Sequence, residues 1–438
     1  MGSTTLPTVA PAPAAIPAPP VRARLDNVDA VRGLVMVLMA LDHVRDMMQS
    51  QPYRATDLTW TTPVLFASRL VTHLCAPVFI LLAGTGIYLA QRRKAHAEMV
   101  RFLVTRGLWL VVLELTVFKF FWYQTLDYTS VEALVIWTIG WCMVLMSAMV
   151  FLPTPLVAGL GLLFIFGHNL ADGIVAGNGS DPVPWDSWSA LWAVMHSTER
   201  VRLGEHSVLS PPYVILPWFG VMCAGYGLGA LLTLDRPVRR RWIAGLGLAT
   251  IVVFVIIRGL NGYGDPHPWA VQIHDPDTET RYDPSQPEEM RVRQQAKLTS
   301  AAVPNPLYTV MSFVNTTKYP PSLDFLLMTL GPALLILAAL DRPLGPVAEK
   351  LVVYGRVPFF YYAVHLSLIG VCAGTVYAVG YARGWWDAPF QEVRLRGMGL
   401  SLAAAYCWWL VVVVVLYYPC RWFAGVKARS RAAWLSYL

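Results

Sequence analysis

Apolar runs of roughly 20 residues recur from one end of the chain to the other, and no other feature limits its folding as much. A helix rises 1.5 Å per residue, so about 20 residues cross a hydrocarbon core about 30 Å thick. Lipid offers the backbone no hydrogen bonds, so runs of this length must satisfy themselves as helices. Ten runs are legible, at 28–48, 62–90, 102–122, 131–151, 154–171, 211–234, 241–260, 322–341, 357–381 and 398–420. Composition agrees. The chain is 56% hydrophobic and only 14% charged, whereas soluble domains average about 25% charged residues. Aromatic residues make up 12%, which excludes disorder over most of the length. The expected fold class is all-α: a polytopic integral membrane protein of about ten transmembrane helices.

The net charge of +7 comes from 34 Lys and Arg against 27 Asp and Glu. The basic residues sit in short loops, where they set orientation. Arg92, Arg93, Lys94 and Arg101 separate runs two and three; Arg236, Arg239, Arg240 and Arg241 separate six and seven. Arg342 and Lys350 precede run nine, and Arg421, Lys427, Arg429 and Arg431 follow run ten. All fall on one side if both termini are cytoplasmic, and an odd number of runs would break the pattern. No basic patch with interleaved stacking aromatics occurs, so nucleic acid is not an expected partner. The six cysteines lie in or beside apolar runs without CxxC spacing and read as small buried hydrophobes, and no metal is expected.

The organisation expected is a flexible Ala/Pro-rich tail (1–24), a transmembrane domain (25–424) and a basic cytoplasmic tail (425–438). Two long connections, 172–210 and 261–321, fall on the outer face and read equally well as functional lids or as solvated connectors.

Ionisable groups in hydrocarbon need a partner or a task. Run one holds Asp29, Arg32, Asp42, His43 and Arg45. Asp29, Arg32 and His43 lie within about 60° on the helix, whereas Asp42 points about 100° away from His43. Asp29 and Arg32 at i,i+3 can simply neutralise each other. Run two carries Arg69 and His73 at i,i+4, at roughly the depth of His43, so two histidines and an arginine can face one cavity. A histidine oriented by Asp42 or by another helix's carboxylate can act as a general base near neutral pH, with His73 and Arg69 positioning an acceptor or an oxyanion. The bland alternative is a polar network that only specifies helix packing. Arg32, Arg106 and Arg356 lie toward the inner ends of their helices, where a polyanionic ligand would meet them; they also read as interfacial anchors. His365 follows in run nine, and Glu114 in run three. No GxxxxGK[ST], GxSxG, HExxH or GxGxxG occurs, and the glycine-spaced stretch 220–229 reads as close helix packing.

The run Leu25-Asp26-Asn27-Val28-Asp29-Ala30-Val31-Arg32-Gly33 with Leu41-Asp42-His43-Val44-Arg45-Asp46 resembles the opening helix of the transmembrane acyltransferase superfamily. Within it the bacterial form of the heparan-α-glucosaminide N-acetyltransferase catalytic-domain family is the best match. Thr72–Phe79 with Ala83-Gly84-Thr85, Thr105–Trp109 with Glu114, Thr317–Leu323, and Arg356–Tyr362 with His365 are similar to that branch. The resemblance implies an enzyme that moves an acetyl group from cytoplasmic acetyl-CoA, a co-substrate rather than a resident cofactor, to a sugar, glycan or other small acceptor at the outer face. It implies catalytic His43, Asp42, His73 and Arg69, CoA binding by Arg32, Arg106, Arg356 and His365, and a bacterial inner membrane. The expected partners are acetyl-CoA, the acceptor and the bilayer, with a homodimer among the assemblies allowed. In one departure, the lysosomal relative has Asn at the position of His43 and its catalytic His in the next loop, whereas residues 49–61 here contain no His. Two other classes stay open: a proton-coupled secondary transporter, for which no second Asp-x-x-Arg-Gly or Asp-His appears in the later half, and a non-catalytic scaffold.

Overall fold

The computed structural model describes residues 25–49, 53–177, 181–388, 392–393, 400–430 and 432; the expected tail 1–24 and the end of the C-terminal tail lie outside them. The helices are α1 (Asp26–Met48), α2 (Pro63–Thr72), α3 (Cys75–Gln91), α4 (His96–Leu113), α5 (Lys119–Tyr123), α6 (Val135–Met149), α7 (Thr154–Gly167), α8 (Trp188–Trp192), α9 (Ile215–Leu231), α10 (Arg236–Leu260), α11 (Glu288–Gln295), α12 (Pro306–Val314), α13 (Leu323–Ala339), α14 (Pro346–Arg356), α15 (Pro358–Ala382) and α16 (Leu402–Arg429). Each of the ten expected runs holds a helix. Among the described residues, five stretches are long and apolar enough to cross a membrane: Pro63–Gln91, Thr154–Ala171, α10, α15 and α16; α6, α9 and α13 are shorter apolar helices. The last helix runs on to Arg429, past the expected domain end at 424.

α1 is the axis of the molecule and packs against α2, α3, α13, α14, α15 and α16. Being surrounded by protein lets it carry Asp29, Arg32, Asp42 and Arg45, which lipid would reject. α10 and α16 instead expose apolar faces (Leu248, Val252, Val255 and Ile256; Val411, Val414, Val415 and Trp422), as lipid-facing helices do.

Lipid supplies no hydrophobic drive between helices, so close backbone approach holds them together. The tightest pairs each bring one glycine from either side: Gly33 and Gly355 (α1, α14), Gly84 and Gly225 (α3, α9), Gly107 and Gly140 (α4, α6), Gly161 and Gly220 (α7, α9), Gly247 and Gly331 (α10, α13). A Cβ on Gly33 would lie 1.8 Å from the Leu351 carbonyl oxygen, and one on Gly355 1.8 Å from that of Asp29. The expected packing role of the stretch 220–229 is visible in Gly220 and Gly225.

Three features depart from the sequence reading. Run two breaks at His73–Leu74, between α2 and α3. Pro77 has no N–H for the His73 carbonyl, which removes one rung of the helix there. Run three ends in a π turn, Glu114–Phe118, before α5. The wider turn carries the Glu114 carboxylate to the backbone N–H groups of Ile136 and Trp137, where α6 has no side-chain cap of its own. The third is α14. The stretch between runs eight and nine, expected to be a short basic loop, forms an 11-residue helix lying against α1, with Arg356 at its end.

The long connections carry secondary structure of their own. Residues 130–210 contribute four short strands, β1 (Ser130–Glu132), β2 (Val183–Pro184), β3 (Val201–Arg202) and β4 (Val208–Ser210), in the order β1-β4-β3-β2. β3 and β4 are antiparallel; the outer pairs are parallel. A second, antiparallel sheet joins β5 (Ile273–Asp275), β6 (Thr280–Tyr282) and β7 (Val303–Pro304) in the order β6-β5-β7. Small apolar clusters lie beneath them, Val183, Ala193 and Val201 under the first and Leu58, Phe66, Tyr308 and Met311 under the second. Arg258, at the end of α10, donates to the carbonyls of His267, Ser312, Phe313 and Asn315 and so ties residues 261–321 down.

Candidate active site

One turn near the end of α1 supplies Asp42, His43, Arg45 and Asp46, and their partners come from distant elements. The ring of His43 is 7% exposed and that of His365, on α15, fully buried. His43 Nδ1 lies 2.8 Å from His365 Nε2. The rings are tilted by only 10° with centroids 4.9 Å apart, as a bond in the ring plane requires. His365 Nδ1 lies 2.7 Å from the Tyr361 carbonyl oxygen. A carbonyl only accepts, so Nδ1 of His365 carries hydrogen, and neutral His365 must accept at Nε2. His43 therefore donates from Nδ1, which leaves the lone pair of neutral His43 on Nε2. Trp122 packs edge-on to the His43 ring at 4.6 Å. The pair can hold a proton: when His43 Nε2 takes one, its Nδ1–H···Nε2 bond becomes charge-assisted and stronger.

Asp42, which the sequence reading offered as the group that orients His43, turns instead to α2 and Arg45. Its carboxylate accepts from Arg69 Nη1 at 2.6 Å to each oxygen, from Thr72 Oγ1 at 2.8 Å, and from Arg45. The 100° offset from His43 is what sends it to α2. Arg69 thus reaches the site, held by Asp42. His73 does not join His43: it lies at the break after α2, edge-on to Phe325 at 5.4 Å, and borders a different cavity.

Three cavities stack around His43. The middle one, about 200 Å³, is bordered by His43, Asp42, Arg69, Trp122, Lys318 and Tyr319. It shares Asp46, Arg69, Glu132, Lys318 and Tyr319 with a vestibule of about 870 Å³, whose walls include His73, Arg54, Arg200 and Asn315. On the other side it shares Met39, Phe79, Val135 and Tyr362 with a largely apolar cavity of about 360 Å³. Arg32, Arg106 and Arg356 all border that cavity, joined by Lys427. Arg32 also pairs with Asp29 at 2.9 Å, as the i,i+3 spacing expected, and donates to the Gly355 carbonyl at 3.2 Å. Arg356 reaches Asp26 at 3.2 Å, and Arg106 lies over the Phe102 ring.

His365, expected among the CoA-binding residues, stands instead as the hydrogen-bond partner of His43. Lys318 and Tyr319 were not singled out for the site. Lys318 sits over the Tyr319 and Tyr213 rings at 5.1 and 5.8 Å, facing the middle cavity from the second long connection. A lone Lys-Tyr-Pro-Pro segment between runs carries no signal that it folds back over α1.

No curated protein matches the chain. Residues 24–260 match the family described as heparan-alpha-glucosaminide N-acetyltransferase, catalytic. The match takes in α1 with Asp42 and His43, α2 with Arg69, and every helix through α10. It spans more than half of a chain whose long apolar helices make it an integral membrane protein, and on that ground the chain belongs to the heparan-α-glucosaminide N-acetyltransferase catalytic family, a family of membrane acyltransferase enzymes.

Proposed function

We propose that the protein transfers an acetyl group from acetyl-CoA, bound from the cytoplasmic side, to a sugar hydroxyl or amine presented from the opposite face. The observation that carries this reading is the position of His43, buried between a cation-rimmed cavity and a polar vestibule. Arginine donates paired charge-assisted hydrogen bonds to phosphate, so Arg32, Arg106 and Arg356 suit the phosphates of CoA. The apolar interior suits the slender arm that ends in the thioester, and a 200 Å³ middle cavity admits that end but not a nucleotide.

In the reaction, His43 Nε2 accepts the proton of the acceptor O–H or N–H as the acceptor lone pair adds to the acetyl carbonyl carbon. The carbon–sulfur bond then breaks, and the proton on Nε2 passes to the departing sulfur. His365 keeps Nδ1 of His43 bonded throughout. Arg69, fixed by Asp42, and Lys318 supply positive charge for the oxygen that becomes anionic in between. The ten-span topology with both termini cytoplasmic and placement in a bacterial inner membrane accompany this proposal. Membership of a family of membrane acyltransferases supports this reading over the transporter and scaffold readings.

The test is purified protein in detergent incubated with [acetyl-¹⁴C]CoA and glycan extracts. CoA release with label on the acceptor is expected, together with a mass gain of about 42 Da on one glycan component, since acetylation replaces hydrogen by acetyl. Folded protein that releases no CoA with any acceptor refutes the reading.

A further inference from the structure

Away from this site, at the C-terminal end of α7, three side chains meet that the proposed reaction does not use. His168 opens a 3-10 turn, Asp172 follows it, and His196 comes from a π turn, Ala193–Ser197, just beyond α8. One ligand atom from each lies within 4.8 Å of the other two. His168 is 3% exposed, and neither of its ring nitrogens has a hydrogen-bond partner. A buried imidazole lacking both bonds loses its hydration for nothing in return. His196 is 1% exposed. Trp192 stacks on it at 5.1 Å, and its Nε2 lies 2.9 Å from the His168 carbonyl oxygen and 3.6 Å from Asp172 Oδ1. Asn169 donates to Asp172 Oδ2 at 2.7 Å and accepts from the Leu323 N–H at 2.8 Å. That arrangement leaves Asp172 Oδ1 toward the histidines and fixes the turn to the start of α13.

We propose that His168, Asp172 and His196 form a binding site for one divalent transition-metal ion, with zinc the best fit. Two imidazoles and a carboxylate are a zinc donor set. Zinc holds N and O ligands at about 2.0–2.2 Å, so tetrahedral ligand atoms stand about 3.4 Å apart. The His196–Asp172 pair at 3.6 Å is already close to that spacing. Closing the remaining separations, at most 4.8 Å, needs side-chain shifts of up to about 1.4 Å, with His196 Nε2 exchanging the His168 carbonyl for the ion. The Asn169 bond to Asp172 is the outer support that metal-bound carboxylates require. Asp172 is the half-open member and provides access from solvent. The ion would fasten residues 172–210 to the end of α7, and Thr198 and Arg200, which border the vestibule, lie two and four residues past His196. The site is independent of the proposed acetyl transfer.

The experiment uses the full chain with a non-histidine affinity tag, in nanodiscs, stripped with chelator and titrated with zinc chloride. One zinc per chain by elemental mass spectrometry and a raised melting temperature are expected, and Co²⁺ in its place should give the visible absorption of a tetrahedral site. Asp172→Asn keeps a side chain that Asn169 can still bond, so it should fold as the parent does while binding zinc at least about tenfold more weakly, since even an outer support is worth that much. His196→Gln should lose the stoichiometric ion, and His206→Ala, at a fully exposed histidine, should keep it. Absence of stoichiometric zinc in the folded parent overturns the proposal. So does zinc that Asp172→Asn and His196→Gln retain at parental affinity.

Discussion

Replacing Gly355 with alanine should pull α14 away from α1, and the size of the effect follows from one distance. The new Cβ would stand 1.8 Å from the Asp29 carbonyl oxygen. An ordinary carbon–oxygen contact needs about 3.3 Å, so the helices must part by roughly 1.5 Å. Both atoms in conflict belong to backbone, and no flexible side chain can yield. Such overpacking costs about 1–3 kcal/mol, and lipid returns nothing hydrophobic for the lost contact. The displacement also carries off the Gly355 carbonyl, which holds Arg32 at 3.2 Å, and moves the adjacent Arg356 relative to Arg106. We therefore expect a lower melting temperature and about tenfold weaker CoA binding, equivalent to about 1.4 kcal/mol. The comparison is Gly245→Ala in α10, where a Cβ meets nothing within 4 Å and where helix propensity should raise stability by about 0.5–1 kcal/mol. Thermal melts and isothermal titration with CoA in nanodiscs measure both. A Gly355→Ala protein that melts and binds CoA like Gly245→Ala would refute the idea that this helix contact shapes the cation-rimmed cavity.

The remaining expectations concern single side chains. His43→Ala should abolish transfer, whereas His365→Asn should lower turnover about 10- to 100-fold with CoA affinity intact, the worth of one hydrogen bond of about 1.5–3 kcal/mol to a group that becomes charged; equal turnover in His365→Asn and parent would mean the pair has no catalytic role. Arg32→Gln, Arg106→Gln and Arg356→Gln should each weaken CoA binding by about 1.5–3 kcal/mol, read by titration, while turnover at saturating acetyl-CoA falls far less than in His43→Ala. A double-mutant cycle on Asp42→Asn and Arg69→Met, followed by thermal melts, should return a coupling of about 0.5–3 kcal/mol. Glu114→Ala should cost about 1 kcal/mol by uncapping α6, with Glu114→Gln losing less.

What could be read along the chain was the one-dimensional part. Run lengths located the ten apolar segments, and i,i+3 spacing found the Asp29–Arg32 pair. Rarity of charge in hydrocarbon singled out Asp42, His43 and Arg69, which the structure does gather. What escaped depends on which helix faces which. His43 and His365 are 322 positions apart, and no periodicity within either helix names the other. α14 has the composition of a loop, Glu349 and Lys350 included, and becomes legible only once Gly355 is seen against the backbone of α1. The break at His73 had a signal in Pro77, which the apolar run masked. Likewise the separation of Asp42 from His43 was implied by the 100° step between neighbours, but its destination on α2 was not.

The 322-residue separation of the two histidines also sets a timetable for biosynthesis. At about 5–20 residues per second, roughly 15–65 s pass between synthesis of His43 and of His365. Until the interval ends α1 lacks two of its final neighbours, α15 and α16. Its ionic groups are suited to the wait. Asp29 is matched by Arg32 and Asp42 by Arg45, both within one turn, and Arg69 arrives only 27 residues after Asp42. The first helical hairpin is thus nearly self-neutralising as soon as it is made. The chain can commit the charged helix α1 to the bilayer early, and the centre built on that helix closes only when the ninth apolar run follows.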